Sequence, residues 1–352
     1  MISPARDLAF RVLKKVHGGG YASDLLRHEG SQLATRDAGL AETIVMGVLR
    51  YQGQLDFLIG HFAGRPQPKL DPEVRIALDM GIYQLRYLDR IPPHAAVMES
   101  VELAKSAKQS AAGFVNAVLR KVHRHPVKWP DRATELSLPP WMLARWDKQF
   151  GAEAAEKIAR AALVEPEVNI NTETGRRQDI GAQTIVPLLG IESGMTFLDL
   201  CAAPGNKTAQ AIEAGARVIA CDRYLKRLQE VPDTAARVVL DAAKALPFAK
   251  KFDRILIDAP CSGTGTLGRN PEIKWRLKPG DANIFAARQR EILDQARRFM
   301  KPGGRIVYST CSLENEENQN VVQSLRLRAE THLRLPGRDP GDGFFAAVIT
   351  LV

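Results

Sequence analysis

A short apolar run that leads into a proline and a cysteine constrains this chain more than any other feature. The run 254–257, Arg-Ile-Leu-Ile, is apolar and β-branched, as in a buried strand, and it continues as Asp258-Ala-Pro-Cys261-Ser-Gly-Thr-Gly265. Pro260 cannot donate a ladder hydrogen bond, so the strand must end there. A carboxylate and a thiol therefore lie close together at the carboxyl end of a strand, the edge at which open α/β sheets bind ligands.

A second apolar run repeats this pattern about fifty residues later. The run 305–308, Arg-Ile-Val-Tyr, ends in Ser309-Thr-Cys311-Ser312. Since parallel strands end at the same edge of a sheet, we predict that Cys261 and Cys311 share that edge. A single free cysteine is more often a small buried hydrophobe than a reactive group. Two cysteines at successive strand ends, one of them in an Asp-x-Pro-Cys run, favour a chemical role.

Strands and helices alternate from residue 178 onward, which predicts a mostly parallel sheet with helices on both faces. Further strands are predicted over 196–200, 217–221 and 237–240, with a final hairpin strand over 344–351. Successive strands thus carry or precede an aspartate: Asp199, Asp222, Asp241 and Asp258. One acid at a strand end is usually a turn residue, whereas four along one edge indicate a ligand site.

The part of the chain before residue 178 is predicted to be mostly helical. Residues 1 to about 125 are predicted to be all helix, with Ser3 as the first cap, Pro4 at the first position and a stop at 18–20. Prolines then interrupt a connecting region, in which helices are expected over 141–162 and a short strand over 168–171. The predicted domains are 1–127, 128–177 and 178–352.

An excess of basic residues suggests a polyanionic partner. Lysine and arginine outnumber aspartate and glutamate by 49 to 40, which gives a net charge of +9. Residues 120–128 are especially basic, and Arg120, Lys121 and Arg124 are the candidate RNA contacts. This segment is either a solvated helix end favoured by the helix dipole or a phosphate-contacting patch, and the sequence does not choose between them.

The remaining composition excludes several classes. The four cysteines show no C-x-x-C spacing, which argues against a zinc site and against a disulfide framework. The amino terminus lacks the apolar core of a signal peptide, and no stretch is apolar enough to span a membrane. We therefore expect a monomeric cytoplasmic protein with reduced thiols and no metal.

The first predicted strand leads into a loop of small residues and then a helix, which suits close approach of a ligand to the backbone. Neither G-x-G-x-x-G nor a P-loop is present. Asp222, which ends the second strand, is placed to bind ribose hydroxyls, and Asp241 could accept from an adenine amino group. This layout is typical of methyltransferases that use S-adenosylmethionine.

The residue after Pro260 indicates the substrate. Amino-group methyltransferases place an aromatic residue there, whereas this chain has Cys261. A thiol implies covalent catalysis on a carbon that is not itself nucleophilic, and carbon 5 of a pyrimidine fits, because attack at carbon 6 makes carbon 5 nucleophilic. A base must then remove the carbon-5 proton, and the pyrimidine must be unstacked to be reached.

Two sets of motifs resemble known families. The amino-terminal third, with Ala77-Leu-Asp-Met-Gly81 and Gly113-Phe-Val-Asn116, resembles the NusB-type helical RNA-binding domain. The run 198–208, Asp258-Ala-Pro-Cys261-Ser-Gly-Thr-Gly265, the run 270–275 and the run 309–318 resemble the bacterial 16S rRNA cytosine-5 methyltransferases of the Sun/Fmu (RsmB) type. The resemblance implies a Rossmann-like class I methyltransferase domain preceded by an all-α NusB-like domain.

The resemblance also implies residue roles. Cys311 would be the nucleophile, Cys261 would assist product release, Asp258 would hold the cytosine edge, and Lys207 would reach the base or lower the thiol pKa. The implied lining of the S-adenosylmethionine site is Cys201, Ala202, Ala203, Pro204, Gly205, Asn206, Lys207, Asp222, Asp241 and Asp258.

The chain departs from the family pattern at two places. Asn206 stands where the family usually has glycine, and several dozen residues are absent between 175 and 178, where the family has most of a small RNA-contacting subdomain. The first hypothesis is cytosine-5 methylation of 16S rRNA. The alternatives are the same chemistry on another RNA such as tRNA, or a non-catalytic RNA-binding or ribosome assembly factor. A DNA methyltransferase would leave Cys311 without a role.

Overall fold

The computed structural model describes residues 2–65 and 69–350, and the chain forms two compact units. One unit is helical; it runs to Val164 and also contains Leu267–Arg276. The other contains Glu165–Thr266 and the chain from Leu277 onward, and it is built on a β-sheet. The predicted fold class, an all-α part followed by an α/β part, is confirmed. The predicted domain ranges 1–127, 128–177 and 178–352 stay predictions.

The helical unit consists of amphipathic helices that pack around one apolar core. Pro4 begins the first helix and Gly18 follows its end, but the hydroxyl of Ser3 donates to Glu99 (2.6 Å) instead of capping the helix. The helices are α1 (Pro4–His17), α2 (Ala22–Gly30), α3 (Thr35–Ala63), α4 (Pro72–Tyr87), α5 (Pro93–Ala107), α6 (Ala112–Leu119), α7 (Arg132–Glu135), α8 (Pro140–Phe150) and α9 (Ala152–Ala161).

Close contact between α3 and α4 fixes the centre of this core. Leu8 and Val12 of α1 and Ile44 of α3 are fully buried in it. At Gly47 of α3, a Cβ atom would lie 1.9 Å from Cζ of Tyr83 in α4, so a larger residue cannot be accommodated without moving that ring. The apolar stripes seen in the sequence are therefore core, as their spacing predicts.

The segment Leu267–Arg276 completes the helical unit although it comes from the later part of the chain. It ends in a single helical turn, Ile273–Arg276. Trp275 Nε1 donates to the carbonyl of Leu49 and Lys274 Nζ donates to the carbonyl of Arg50, both at 2.8 Å. Since both carbonyls belong to α3, this segment supplies hydrogen bonds to the middle of a long helix.

The α/β unit is built on a mixed sheet, and its described part has seven strands in the order β3-β2-β1-β4-β5-β7-β6. The first five strands in this order are parallel to one another, whereas β7 is antiparallel to both β5 and β6. The strands are β1 (Thr196–Asp199), β2 (Arg217–Asp222), β3 (Ala236–Val239), β4 (Phe252–Asp258), β5 (Met300–Thr310), β6 (Ala329–Arg334) and β7 (Phe344–Thr350).

Alternating side chains of the central strands build an apolar core on each face of the sheet. In β4, Ile255 and Ile257 join one core and Leu256 joins the other, as the two-residue repeat of a strand requires. Helices cover both faces, as predicted. With the turn in the helical unit numbered α13, they are α10 (Ile180–Gln183), α11 (Asn206–Glu213), α12 (Leu225–Leu228), α14 (Asp281–Arg297) and α15 (Gln319–Ser324).

Two expectations about strands are corrected. The predicted strand over 168–171 is only an isolated bridge between Ile170 and Arg177. β6 was not predicted, and it is the partner of the predicted hairpin strand, whose last residue, Leu351, lies outside the described residues. Within residues 2–65 and 69–350, no helix is long and apolar enough to cross a membrane. The cytoplasmic location and the monomeric state stay predictions.

The buried Lys274 predicts a pH dependence of stability. Burial, together with the nearby Arg50, lowers its pKa to about 7, while an unfolded lysine titrates near 10.4. Between these values the unfolded chain binds more protons, so the free energy of unfolding should rise with pH, by at most about 1.4 kcal/mol per pH unit. Urea denaturation of Lys274→Met and of the parent protein at several pH values above 7 measures this contribution. The free energy of unfolding of the variant should not show this rise with pH. Parallel plots of unfolding free energy against pH for the two proteins would refute the assignment.

Candidate active site

Aspartates gather at the carboxyl edge of the parallel strands. Asp199, Asp222 and Asp258 are the last residues of β1, β2 and β4, and Asp241 follows β3. The strand order runs from β1 outward in both directions, so the gap between β1 and β4 is the topological switch point at which such sheets bind ligands. The predicted clustering of the four acids at this sheet edge is confirmed.

The small-residue loop after β1 folds along the end of β2. Ala202 N donates to the carbonyl of Cys221 (2.8 Å), and Ala203 N donates to Oδ2 of Asp222 (3.3 Å). Gly205 has φ +98°, and a Cβ atom there would lie 2.7 Å from Cα of Val231. Only glycine suits this position, and α11 begins at the next residue. The loop is thus held at the edge where a ligand would lie.

Asp222 has hydrogen-bonding capacity left for a ligand. Its Oδ1 accepts from Tyr224 N (3.0 Å) and its Oδ2 from Ala203 N. A carboxylate oxygen accepts about two hydrogen bonds, so each oxygen retains one site, which fits a ribose diol. Asp241 is more occupied, because its Oδ1 accepts from Ala243 N (3.1 Å) and from Arg288 Nη2 (2.7 Å). Its Oδ2 is the better-placed acceptor for an amino group.

The two predicted thiols lie in contact, and so do Lys207 and Asp258. The Sγ atoms of Cys261 and Cys311 are 3.2 Å apart. Lys207 Nζ donates to Oδ2 of Asp258 (2.5 Å), and the Ser309 hydroxyl donates to Oδ1 of the same carboxylate (3.1 Å). The structure therefore brings together the residues that the sequence assigned to catalysis.

The pKa values of these groups follow from their surroundings. The pKa of Cys261 lies well above its ordinary value because the thiol is hydrogen-bonded to Cys311, because it is desolvated, and because Cys311 and Glu317 act on it electrostatically. Burial alone would lower the pKa of Lys207, but the adjacent Asp258 carboxylate more than offsets this and the pKa is raised. Lys207 is thus a stable cation. Burial and nearby carboxylates also raise the pKa of Cys201, which stays a thiol.

Comparison with known proteins identifies the family to which this chain belongs. Residues 3–124 match the NusB family, and residues 186–336 match the family described as 16S rRNA methyltransferase RsmB/F. A probable ribosomal RNA small subunit methyltransferase B from Bacillus subtilis (strain 168) is 32% identical, over 91% of this chain and 87% of its own. The chain belongs to the ribosomal RNA small subunit methyltransferase B family.

Other similar proteins agree with membership of this family. The ribosomal RNA small subunit methyltransferase B of Klebsiella pneumoniae (strain 342) is 32% identical, over 97% of each chain. The solved structure of PH0851 has a TM-score of 0.78 at 20% identity and covers 100% of both chains, so it supports the fold. The resemblance drawn from the motifs and the NusB-like identity of the helical part are confirmed.

A methyltransferase family with this site confirms S-adenosylmethionine as the predicted cofactor. The residues present fit that group: a diol acceptor at Asp222, an amino-group acceptor at Asp241, and a loop that approaches closely because Gly205 has no side chain. Among the residues that the structure describes, no group of three or more His, Cys, Asp or Glu side chains could hold a metal ion.

Two buried carboxylates of the site were given no individual role from the sequence, although Asp199 was named among the acids at the sheet edge. Asp199 accepts from the Thr208 hydroxyl (2.7 Å), and burial raises its pKa to about 7. Glu317 is fully buried beside the two cysteine loops. Both belong to the motif runs that carry the family resemblance, which is the signal that could have drawn attention to them.

The segment that carries Arg176 and Arg177 is bonded to the loop before α11. Arg176 donates from Nε to Oδ1 of Asn206 (2.8 Å) and from Nη2 to the carbonyl of Pro204 (2.9 Å). Asn206 Nδ2 donates in turn to the carbonyl of Arg177 (2.9 Å). This segment is therefore anchored directly to the loop that precedes α11.

The three predicted RNA contacts belong to the helical unit, and they are not equivalent. Arg124 donates to the carbonyls of Leu85 (2.9 Å) and Leu88 (2.6 Å), so it caps the carboxyl end of α4. Arg120 contacts Asn116 within its own helix (3.2 Å), and both Arg120 and Lys121 are exposed. Arg120 and Lys121 are the better candidates for phosphate contacts.

The geometry of Asp222 predicts a loss of cofactor affinity. Asp222→Ala removes the carboxylate that is expected to accept from a ribose diol, and it removes the bond that holds Ala203, so binding of S-adenosylmethionine should weaken by about 1–3 kcal/mol. Titration calorimetry measures this. Glu213→Ala, which removes an exposed carboxylate at the end of α11, is the control and should bind normally. Equal affinity of the Asp222 variant and the parent protein would exclude Asp222 from the cofactor site.

Proposed function

We propose that the protein methylates carbon 5 of a cytosine in 16S rRNA through a covalent adduct between Cys311 and the base. The observation that carries the proposal is the pair of thiols 3.2 Å apart at the sheet edge, beside the ion pair of Lys207 and Asp258. Nitrogen or oxygen methylation needs no thiol, whereas carbon-5 methylation needs one nucleophile and one base in this arrangement. The names of the matching family and relatives support ribosomal RNA as the substrate.

The reaction starts with attack by the Cys311 thiolate on carbon 6 of the cytosine. The new carbon–sulfur bond moves the electrons of the double bond toward carbon 5, and the ring edge receives a proton or hydrogen bond as charge develops. S-adenosylmethionine supplies the electrophilic methyl group that carbon 5 takes up. Cys261, as a thiolate, then removes the carbon-5 proton; the double bond reforms and the bond between carbon 6 and Cys311 breaks.

Asp258 and Lys207 suit the electrostatic part of this cycle. Lys207 stays protonated because Asp258 stabilises its charge, so it can attract the thiolate form of Cys311. The Asp258 carboxylate is fixed by Lys207 and Ser309, which holds it in one orientation for the amino edge of a cytosine. Charge that is held in place in this way is an effective source of catalysis.

A connection shorter than that of the family, as the sequence predicts between 175 and 178, would bear on the choice of RNA. The alignment with the Klebsiella relative spans 418 positions, whereas this chain has 352 residues, so that relative carries residues that this chain lacks. The same cytosine chemistry on another RNA, such as tRNA, is therefore the second candidate. Bisulfite mapping of cellular RNA with and without the gene distinguishes the two, because it locates the modified cytosine in the RNA that carries it.

The two thiols should give opposite results when each is replaced. Cys261→Ala still has the nucleophile but lacks the base, so the protein should stay joined to its RNA through Cys311 and migrate as one band in denaturing electrophoresis. Cys311→Ala should give no adduct and no turnover, because the thiolate is the nucleophile. Both variants should bind S-adenosylmethionine as the parent protein does.

An adduct in the Cys311 variant and none in the Cys261 variant would reverse the two roles. If neither variant traps RNA and the parent protein transfers no methyl group, the non-catalytic alternative is favoured. Mass spectrometry of the digested adduct identifies the cysteine that carries the nucleotide.

The helical unit should contribute an electrostatic part of RNA affinity. Replacing Arg120 and Lys121 by Ala should weaken binding and reduce the slope of log K against log salt by up to about 0.9 per lost phosphate contact. Fluorescence anisotropy at several salt concentrations measures the slope. Lys250→Ala/Lys251→Ala, an equal change of charge at exposed positions in the α/β unit, should leave it unchanged. Equal slopes for both double variants would mean that Arg120 and Lys121 are only solvated.

A further inference from the structure

Glu317 is a fully buried carboxylate with four donors. Its Oε2 accepts from Ser262 N (2.9 Å) and from Gln289 Nε2 (3.0 Å). Its Oε1 accepts from the hydroxyls of Ser262 and Ser312, the latter at 2.6 Å. A buried charge is costly unless it is well hydrogen-bonded, and this one is bonded on both oxygens.

These donors come from the two loops that carry the thiols. Ser262 follows Cys261 directly and Ser312 follows Cys311, so one carboxylate bonds to the residue after each cysteine. The carboxylate is itself held from two sides. Gln289 of α14 also donates to the carbonyl of Pro260 (2.9 Å), and the Tyr308 hydroxyl donates to the backbone carbonyl of Glu317 (2.5 Å).

We propose that Glu317 is a positioning residue that holds Cys261 against Cys311, so that Cys261 can take the carbon-5 proton and release the methylated base. The inference rests on the proposed covalent mechanism. Glu317 does not touch the reacting atoms; it acts through Ser262 and Ser312, which fix the loops on either side of it.

The charge of Glu317 also fits the order of the steps. Two thiolates 3.2 Å apart would repel each other, so only one cysteine carries the negative charge at a time. In the free enzyme, Cys311 and Glu317 both favour the protonated form of Cys261. Once Cys311 is bonded to carbon 6 it is a neutral thioether, so the proton of Cys261 can pass to solvent. The nearby Glu317 charge then makes the Cys261 thiolate a stronger base.

Glu317→Gln tests this role, because the amide keeps the volume but has a donor where the carboxylate accepts. We expect S-adenosylmethionine to bind within about twofold of the parent affinity. Turnover should fall on the order of 10–100-fold, the effect of misplacing a reacting group. The protein–RNA adduct through Cys311 should accumulate, as is expected for Cys261→Ala. A purely structural defect would lower turnover without trapping the adduct.

Asp253→Asn is the matched control, since Asp253 is a hydrogen-bonded carboxylate near the opposite end of β4, where it accepts from Thr196 and Lys301. It should turn over normally and accumulate no adduct. Normal turnover of Glu317→Gln would overturn the inference, and so would lost turnover without an adduct when Cys261→Ala does trap RNA. If Cys261→Ala traps nothing, the proposed function fails instead.

A second variant covers the case in which Glu317→Gln does not bind the cofactor because it does not fold. Ser262→Ala removes one hydroxyl donor to the carboxylate and keeps the backbone N–H that also donates to it. It should show a smaller loss of turnover and the same accumulation of adduct. Parent-like release of the product by Ser262→Ala would contradict the proposed role of the Glu317 contacts.

Discussion

The register between β4 and β5 is the constraint on which the site depends. Asp258 lies directly opposite Ser309, and the pairing continues beyond the strands, where Gly265 N donates to the carbonyl of Cys311 (2.8 Å). A Cβ atom on Gly265 would lie 2.4 Å from the carbonyl oxygen of Gly343, so the loop passes through a space that admits only glycine. A shift of one residue would turn every side chain of β5 to the other face and separate the thiols.

The parts of the site that follow from local sequence could be predicted. Pro260 ends β4 and small residues follow β1, and these short-range rules place Asp258, Cys261 and the loop before α11 at one edge. Contacts between distant residues could not be predicted in this way. Glu317 meets Ser262 across 55 positions, and nothing in the local pattern of either residue names the other. β6 was missed because it is an edge strand with little buried apolar surface.

The segment before α10 is closed by a tight turn and is bonded to the loop before α11. Asn171 Oδ1 accepts from the backbone N–H groups of Glu173 and Thr174, which closes a tight turn, and Gly175 takes a positive φ of +66° within it. Arg176 then reaches the loop before α11, where Asn206 supplies a side-chain acceptor that glycine could not. Hydrogen bonds of Arg176 and Asn206 therefore tie this turn to the loop before α11.

The segment Leu267–Arg276 limits how this protein can be divided into separate units and how it can have been built from them. The chain leaves the α/β unit after Thr266, enters the helical unit and returns at Leu277. A gene fragment that stops at Val164 would encode α3 without the side chains that hydrogen-bond to Leu49 and Arg50. The two units are thus not interchangeable modules joined by one linker. If either unit is replaced by that of a relative, these contacts are preserved only when the ten residues Leu267–Arg276 are treated as part of the helical unit.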